Sequence, residues 1–164
     1  RLTQIRGIGN VKAIQLKCIG ELAKRIASTS RREQITLQSA RSIAEYFMEQ
    51  LRHEPQEHLM LAMFDNKSML IGEKLLSTGT SNAALISARD IYRTALQYQA
   101  AYVVVLHNHP SGNPEPSRED ILVTRKIKAC GELLDILLMD HIIIGDNRYF
   151  SFREQDILFE KGRD

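Results

Sequence analysis

Several features are scarce or missing in this chain. It has two cysteines in 164 residues, Cys18 and Cys130, set far apart. That excludes a disulfide framework and a CxxC metal site, and it fits reduced thiols in a cytoplasmic setting. No stretch approaches the roughly 20 apolar residues of a membrane span, and the start lacks a signal-peptide pattern. The chain opens on Arg1 rather than methionine, which reads as a piece trimmed from a longer protein. No internal repeat is visible, although two helical segments begin with the similar words SARS and SARD.

What is present is ordinary globular material. The length suits one domain with a small appendage, and 43% hydrophobic with 26% charged residues is enough to build a core. The net charge of +2 conceals an asymmetry. Residues 1–33 hold eight basic residues against Glu21 and Glu33, a net +6, so the rest of the chain carries −4. A basic arm on a mildly acidic body suggests two functional units.

Residues 1–28 read as a helical segment. Ile14, Leu16, Ile19, Leu22, Ala23 and Ile26 fall near a 3.6-residue period. Before them, "IRGIGNVKA" sets Gly7 and Gly9 around Ile8, a turn that can offer backbone N–H groups to a phosphate. Residues 29–37 read as a linker, and from 38 to 164 helices and strands alternate. Helices are expected to begin at the capping residues Ser39, Ser87 and Ser117. Strands are expected in "EHLMLAMFD", "MLIGEKLLSTG", "AYVVVLHNH", "ILLMDHIIIGD" and "YFSF". The third has a continuous apolar run that calls for burial on both faces. The expected architecture is α/β, a mixed central sheet flanked by helices, with a small helical N-terminal segment.

The chemistry concentrates in "LHNHPSGNPEPSREDI", residues 106–121. His107 and His109, two apart on a strand, point to the same side. They sit at a strand end, where α/β sheets tend to place ligand sites. Gly112, Pro114 and Pro116 then turn the chain, Ser117 can cap the next helix, and Asp120 falls in its first turn. Two imidazoles and a carboxylate make a set that leaves a fourth position open on a tetrahedral Zn²⁺, the mark of a catalytic metal. The same residues also suit a plain capping box, Ser117-x-x-Asp120. These roles look competitive, because a carboxylate held by a metal is poorly placed to fold back on the cap. Residue chemistry alone leaves both readings open.

The order His107-x-His109-Pro110, six residues, Ser117-x-x-Asp120 resembles the metal motif of the JAMM (MPN-type) metallopeptidases. More closely, "LHNHPSGNPEPSRED" with "LLMDHIIIGDNRYFS" downstream is similar to the RadC family, a JAMM branch historically named for DNA repair. The similarity runs over about residues 38–158. It implies His107, His109 and Asp120 as ligands of Zn²⁺ and a glutamate as general base. The matching position is Glu57, with Glu73 on the next strand as its rival. It also implies Ser117 as the residue that positions water or steadies the oxyanion. His141 reads first as a hydrogen-bonded structural histidine and second as support for the site, while His53 and His58 stay outside it.

Three functions follow as expectations. The first is a zinc metallopeptidase acting on an amide or isopeptide bond of a polypeptide substrate. The second is a DNA repair or recombination accessory that uses the domain as a binding module. Its feature is the basic arm, which resembles the second half of a helix-hairpin-helix element and would make non-specific phosphate contacts. The third is a deaminase or nuclease. It is disfavoured because the chain lacks a P-C-x-x-C stretch and the clustered carboxylates of a two-metal site. Exposed sheet edges make a homodimer plausible.

Overall fold

The computed structural model describes residues 4–5, 7–32 (backbone alone over 24–32), 36–37, 39–79 and 87–158. The order of elements is α1 (Asn10–Arg32), α2 (Ala40–Leu51), β1 (His58–Phe64), β2 (Leu70–Thr78), α3 (Ala88–Gln97), β3 (Tyr102–Asn108), α4 (Arg118–Leu134), β4 (Leu137–Ile144) and β5 (Tyr149–Ser151). They fall into two compact units, residues 1–34 and 35–164. In the first, α1 continues through 29–32, part of the stretch expected to be linker. Lys12 Nζ donates to the carbonyl of Gly7 in the turn before that helix.

The second unit is built on a mixed five-stranded sheet of order β2-β1-β3-β4-β5. Only β3 and β4 are parallel, because α4 carries the chain back between them, and the other neighbours pair antiparallel. Val103, Val104, Val105 and Leu106 have no exposed surface, so the run at the sheet centre is covered on both sides. On one face, Ile43 and Phe47 of α2 pack on Ala62, Val104, Leu106 and Ile142. On the other, Ile91 of α3 and Ile127 of α4 pack on Leu61, Val103, Val105 and Ile143. Each fully buried aliphatic or aromatic side chain stabilises the unit by about 1.5–3 kcal/mol relative to exposure.

Local chemistry explains the element starts. Ser39, Ser87 and Ser117 cap their helices, accepting from the N–H groups of Ser42, Asp90 and Asp120. Asp65 Oδ1 accepts from Lys67 N and Met69 N, closing the β1–β2 turn.

One buried acid belongs to the fold. Asp140 of β4 is 1% exposed, and it accepts from Ser151 Oγ at 2.6 Å and Arg153 N at 3.0 Å. It thereby pins the segment after β5. Burial raises its carboxyl from the ordinary 3.8 to about 6, against the opposing hydrogen bonds from Ser151 and Arg153. Because the folded value lies above the unfolded one, its contribution is full below about 3.8 and is lost as pH rises through about 6. The contribution is on the order of 2–3 kcal/mol. Denaturant unfolding of Asp140→Asn beside the parent is therefore expected to show the difference moving in the variant's favour between pH 4 and pH 8. Parallel pH curves for the two proteins would contradict this assignment.

Candidate metal centre

Strand alternation sends His107 to the sheet face covered by α3 and α4, since its cross-strand neighbours Leu59 and Ile143 lie there. His109 follows one step beyond the strand end. Its N–H donates to the Ile144 carbonyl, and its own carbonyl accepts from Gly112 N. The turn rests on the end of β4. Gly112 is at φ +76, and a Cβ on Gly145 would lie 2.4 Å from the Gly112 carbonyl oxygen, so the two backbones approach where only glycine fits.

Asp120, at the start of α4, faces both imidazoles. Its Oδ1 lies 3.4 Å from His107 Nε2, and its Oδ2 lies 3.5 Å from His109 Nε2. The two Nε2 atoms are 3.0 Å apart, and one ligand atom from each of the three residues falls within 4.8 Å of the others. His107 and Asp120 are 3% and 2% exposed, and His109 is half-buried. The capping box is present as well. Asp120 Oδ2 accepts from Ser117 N at 2.8 Å and Ser117 Oγ at 2.6 Å. The cap uses Oδ2 and leaves Oδ1 facing His107, so one carboxylate can serve both the cap and the cluster.

The hydrogen-bond partners test whether a cation suits these residues. His109 Nδ1 lies 2.8 Å from the Asn113 carbonyl, which can only accept, so Nδ1 carries a proton and a neutral His109 presents a bare Nε2. Two imidazole edges and a carboxylate, gathered in a nearly dry space, suit a divalent cation such as zinc.

The electrostatics follow from the same arrangement. Burial lowers His107 to about 4, although Asp120 pulls the other way. His109 is raised, first by its hydrogen bond to Asp120, with burial opposing and the Asn113 carbonyl assisting. Burial would raise Asp120, but His109, His107 and the two Ser117 donors together outweigh it and hold the carboxyl well below the usual range.

Glu57 precedes β1 and is half-buried. Burial raises its carboxyl, His109 lowers it and Asp120 raises it further, so its charge is within reach of the centre. Glu73 stands opposite Ala62, whose face of the sheet is covered by α2, away from the centre. The single Ser117 hydroxyl proton is donated to Asp120. His53 is exposed, and His58 turns its Nδ1 to the Gln56 carbonyl. His141 has no exposed surface, and its Nε2 lies 2.9 Å from His107 Nδ1.

Two residues here escaped the sequence reading. Asn108, between the two histidines, points to the opposite face and is 1% exposed. Its Oδ1 accepts from His58 N at 2.8 Å, while Nδ2 lies within donating distance of the Glu54 and Gln56 carbonyls at 3.3 and 3.1 Å. It therefore holds the backbone on both sides of Glu57. A polar residue closing an apolar strand was its signal. Thr124, four residues after Asp120 and 1% exposed, lies beside His141. Its signal was a hydroxyl on the inner face of α4.

A mixed α/β sheet with two histidines at the end of a parallel strand and an aspartate opening the next helix defines a JAB/MPN-like domain whose three side chains could hold a metal ion. The family model described as "RadC-like JAB domain" matches residues 37–157, and the chain belongs to that family. It is 35% identical to a UPF0758 protein of Desulforamulus reducens over 157 residues, covering 96% of this chain and 69% of that one. It is 40% identical to UPF0758 proteins of Clostridium novyi, covering 94% and 68%, and of Bacillus velezensis, covering 96% and 68%.

Asn108→Ala leaves the His58 N–H without its acceptor, and the unfolding free energy is expected to fall by about 1–3 kcal/mol. Urea denaturation checks this. An unchanged midpoint and slope would mean that Asn108 does not hold the segment around Glu57.

Proposed function

We propose that this domain is a zinc-dependent metallopeptidase-like hydrolase that cleaves an amide or isopeptide bond in a polypeptide. The observation that carries the reading is the convergence of His107, His109 and Asp120 on one small space that the Glu57 charge also reaches. His107 Nε2, His109 Nε2 and an Asp120 carboxylate oxygen would hold the ion. Bound there, Zn²⁺ supplies a Lewis acid that acidifies water and polarises a carbonyl at neutral pH.

The chain's own residues do the rest. Glu57, with its carboxyl raised by burial, accepts the proton of the attacking water and returns it to the leaving amine. Asn108 keeps Glu57 in place through the backbone on either side of it. Ser117 anchors Asp120 with its N–H and its O–H, and turns the O–H towards the oxyanion as negative charge develops there. Among the described residues, no helix is long and apolar enough to cross a membrane.

A second reading is a DNA-associated role for residues 1–28, favoured by the net +6 of residues 1–33. Phosphate contacts of that kind weaken steeply with salt, so binding to a duplex that survives high salt unchanged would exclude them.

Elemental analysis of the purified chain is expected to find about one zinc per chain, lost in an Asp120→Ala protein that still melts cooperatively. Glu57→Gln is expected to keep the zinc while hydrolysis of isopeptide and peptide substrates falls by at least about 100-fold. Zinc retained by Asp120→Ala would remove Asp120 from the ligand set. Full hydrolysis by Glu57→Gln would remove Glu57 as the base.

A further inference from the structure

Behind the metal centre runs a closed chain of buried polar groups. His107 Nδ1 lies 2.9 Å from His141 Nε2, and His141 Nδ1 lies 2.5 Å from Thr124 Oγ1. Thr124 Oγ1 in turn lies 2.5 Å from the backbone carbonyl oxygen of Asp120. The chain leaves one metal ligand through its ring and returns to another through its backbone. None of its members is more than 3% exposed, and His141 is stacked on Phe152 with an interplanar angle of 14°.

Donor and acceptor rules fix the proton positions along it. The Asp120 carbonyl can only accept, and two oxygens 2.5 Å apart need a proton between them, so Thr124 donates its hydroxyl proton there. Thr124 Oγ1 then has only lone pairs to offer His141 Nδ1, which must carry the ring proton. His141 Nε2 is therefore bare and accepts from His107 Nδ1–H. That leaves His107 Nε2 without a proton, facing Asp120 and His109.

We propose that Thr124, acting through His141, fixes the tautomer of His107 in which Nε2 is free to bind a metal ion. Thr124 and His141 are positioning residues, since neither faces the centre. The proposal rests on the metal-centre reading of His107, His109 and Asp120, but the proton positions can be read without any metal. Imidazole in this place also differs from a carboxylate partner, because it orients the ligand without adding negative charge to the site.

The discriminating substitution is Thr124→Val, which keeps the shape and removes the hydroxyl. His141 then loses the acceptor of its Nδ1 proton, and the favoured arrangement reverses. His141 donates from Nε2, and His107 carries its proton on Nε2, where the metal should bind.

Nitrogen-15 NMR of the histidine side chains in the metal-free full chain reads the tautomers directly. The parent is expected to show Nδ1–H at both His107 and His141, and Thr124→Val is expected to show Nε2–H at both. Titration with Co²⁺ is expected to give about 10–100-fold weaker binding in Thr124→Val, restored to the parent level in Thr124→Ser.

A parent protein with its proton on His107 Nε2 would overturn the proposal, even if Thr124→Val failed to fold. So would tautomers unchanged in Thr124→Val, Co²⁺ affinity unchanged despite reversed tautomers, or a Thr124→Ser protein as weak as Thr124→Val. Should the parent bind no Co²⁺ at all, the metal-centre reading itself would fail, while the NMR result would still decide the tautomers.

Discussion

The desolvated C-terminal end of β3 is the constraint on which the rest of this domain depends. A strand covered on both faces delivers its last residues into an environment where any polar group without a partner is costly. His107 and Asn108 occupy that end, and each is satisfied on a different face. Towards α4, His107 joins a histidine, a threonine and a carbonyl. Towards α2, Asn108 joins three backbone groups of the segment leading into β1. The polar end of one strand thus supports the candidate ligands through one face and the backbone around Glu57 through the other.

The start of α4 shows how one side chain serves folding and chemistry together. Asp120 satisfies the orphan N–H of its own helix cap and keeps its carboxylate beside two imidazoles. The cap fixes the carboxylate to the helix terminus, while the Gly112 and Gly145 backbones fix the preceding turn to β4. His107 and Asp120, thirteen positions apart in sequence, are therefore held on two rigid elements joined by a pinned loop. Such support is what a preorganised site requires.

The basic first unit and the acidic second one differ in what they display. In residues 35–164 most charges lie at the surface, while two carboxylates, Asp120 and Asp140, are buried with several donors each. In residues 1–33, positive charge predominates along a helix and the turn before it. Such a field acts on solubility and on association with anionic partners rather than on the fold.

Much of the second unit was legible along the chain. Alternating strand and helix patterns, three serine caps and the unbroken apolar run of β3 gave the α/β class. Strand alternation and a capped helix are local rules, so "HNHPSGNPEPSRED" showed three residues that suit either a metal or a cap, and the family resemblance named them as candidate ligands. Asn108, His141 and Thr124 were harder to read, because their partners on other elements lie 17 to 54 positions away and their roles exist only once β1, β3, β4 and α4 pack together. The choice between Glu57 and Glu73 was also closed to local rules, since it turns on which sheet face each glutamate occupies. Periodicity and spacing thus determined the elements, and the motif's likeness to the RadC family picked out the candidate ligands that near-neighbour rules had left open. Proton positions, burial and the pairing of distant polar groups were decided only by tertiary structure, because desolvation acts on what surrounds a group in space.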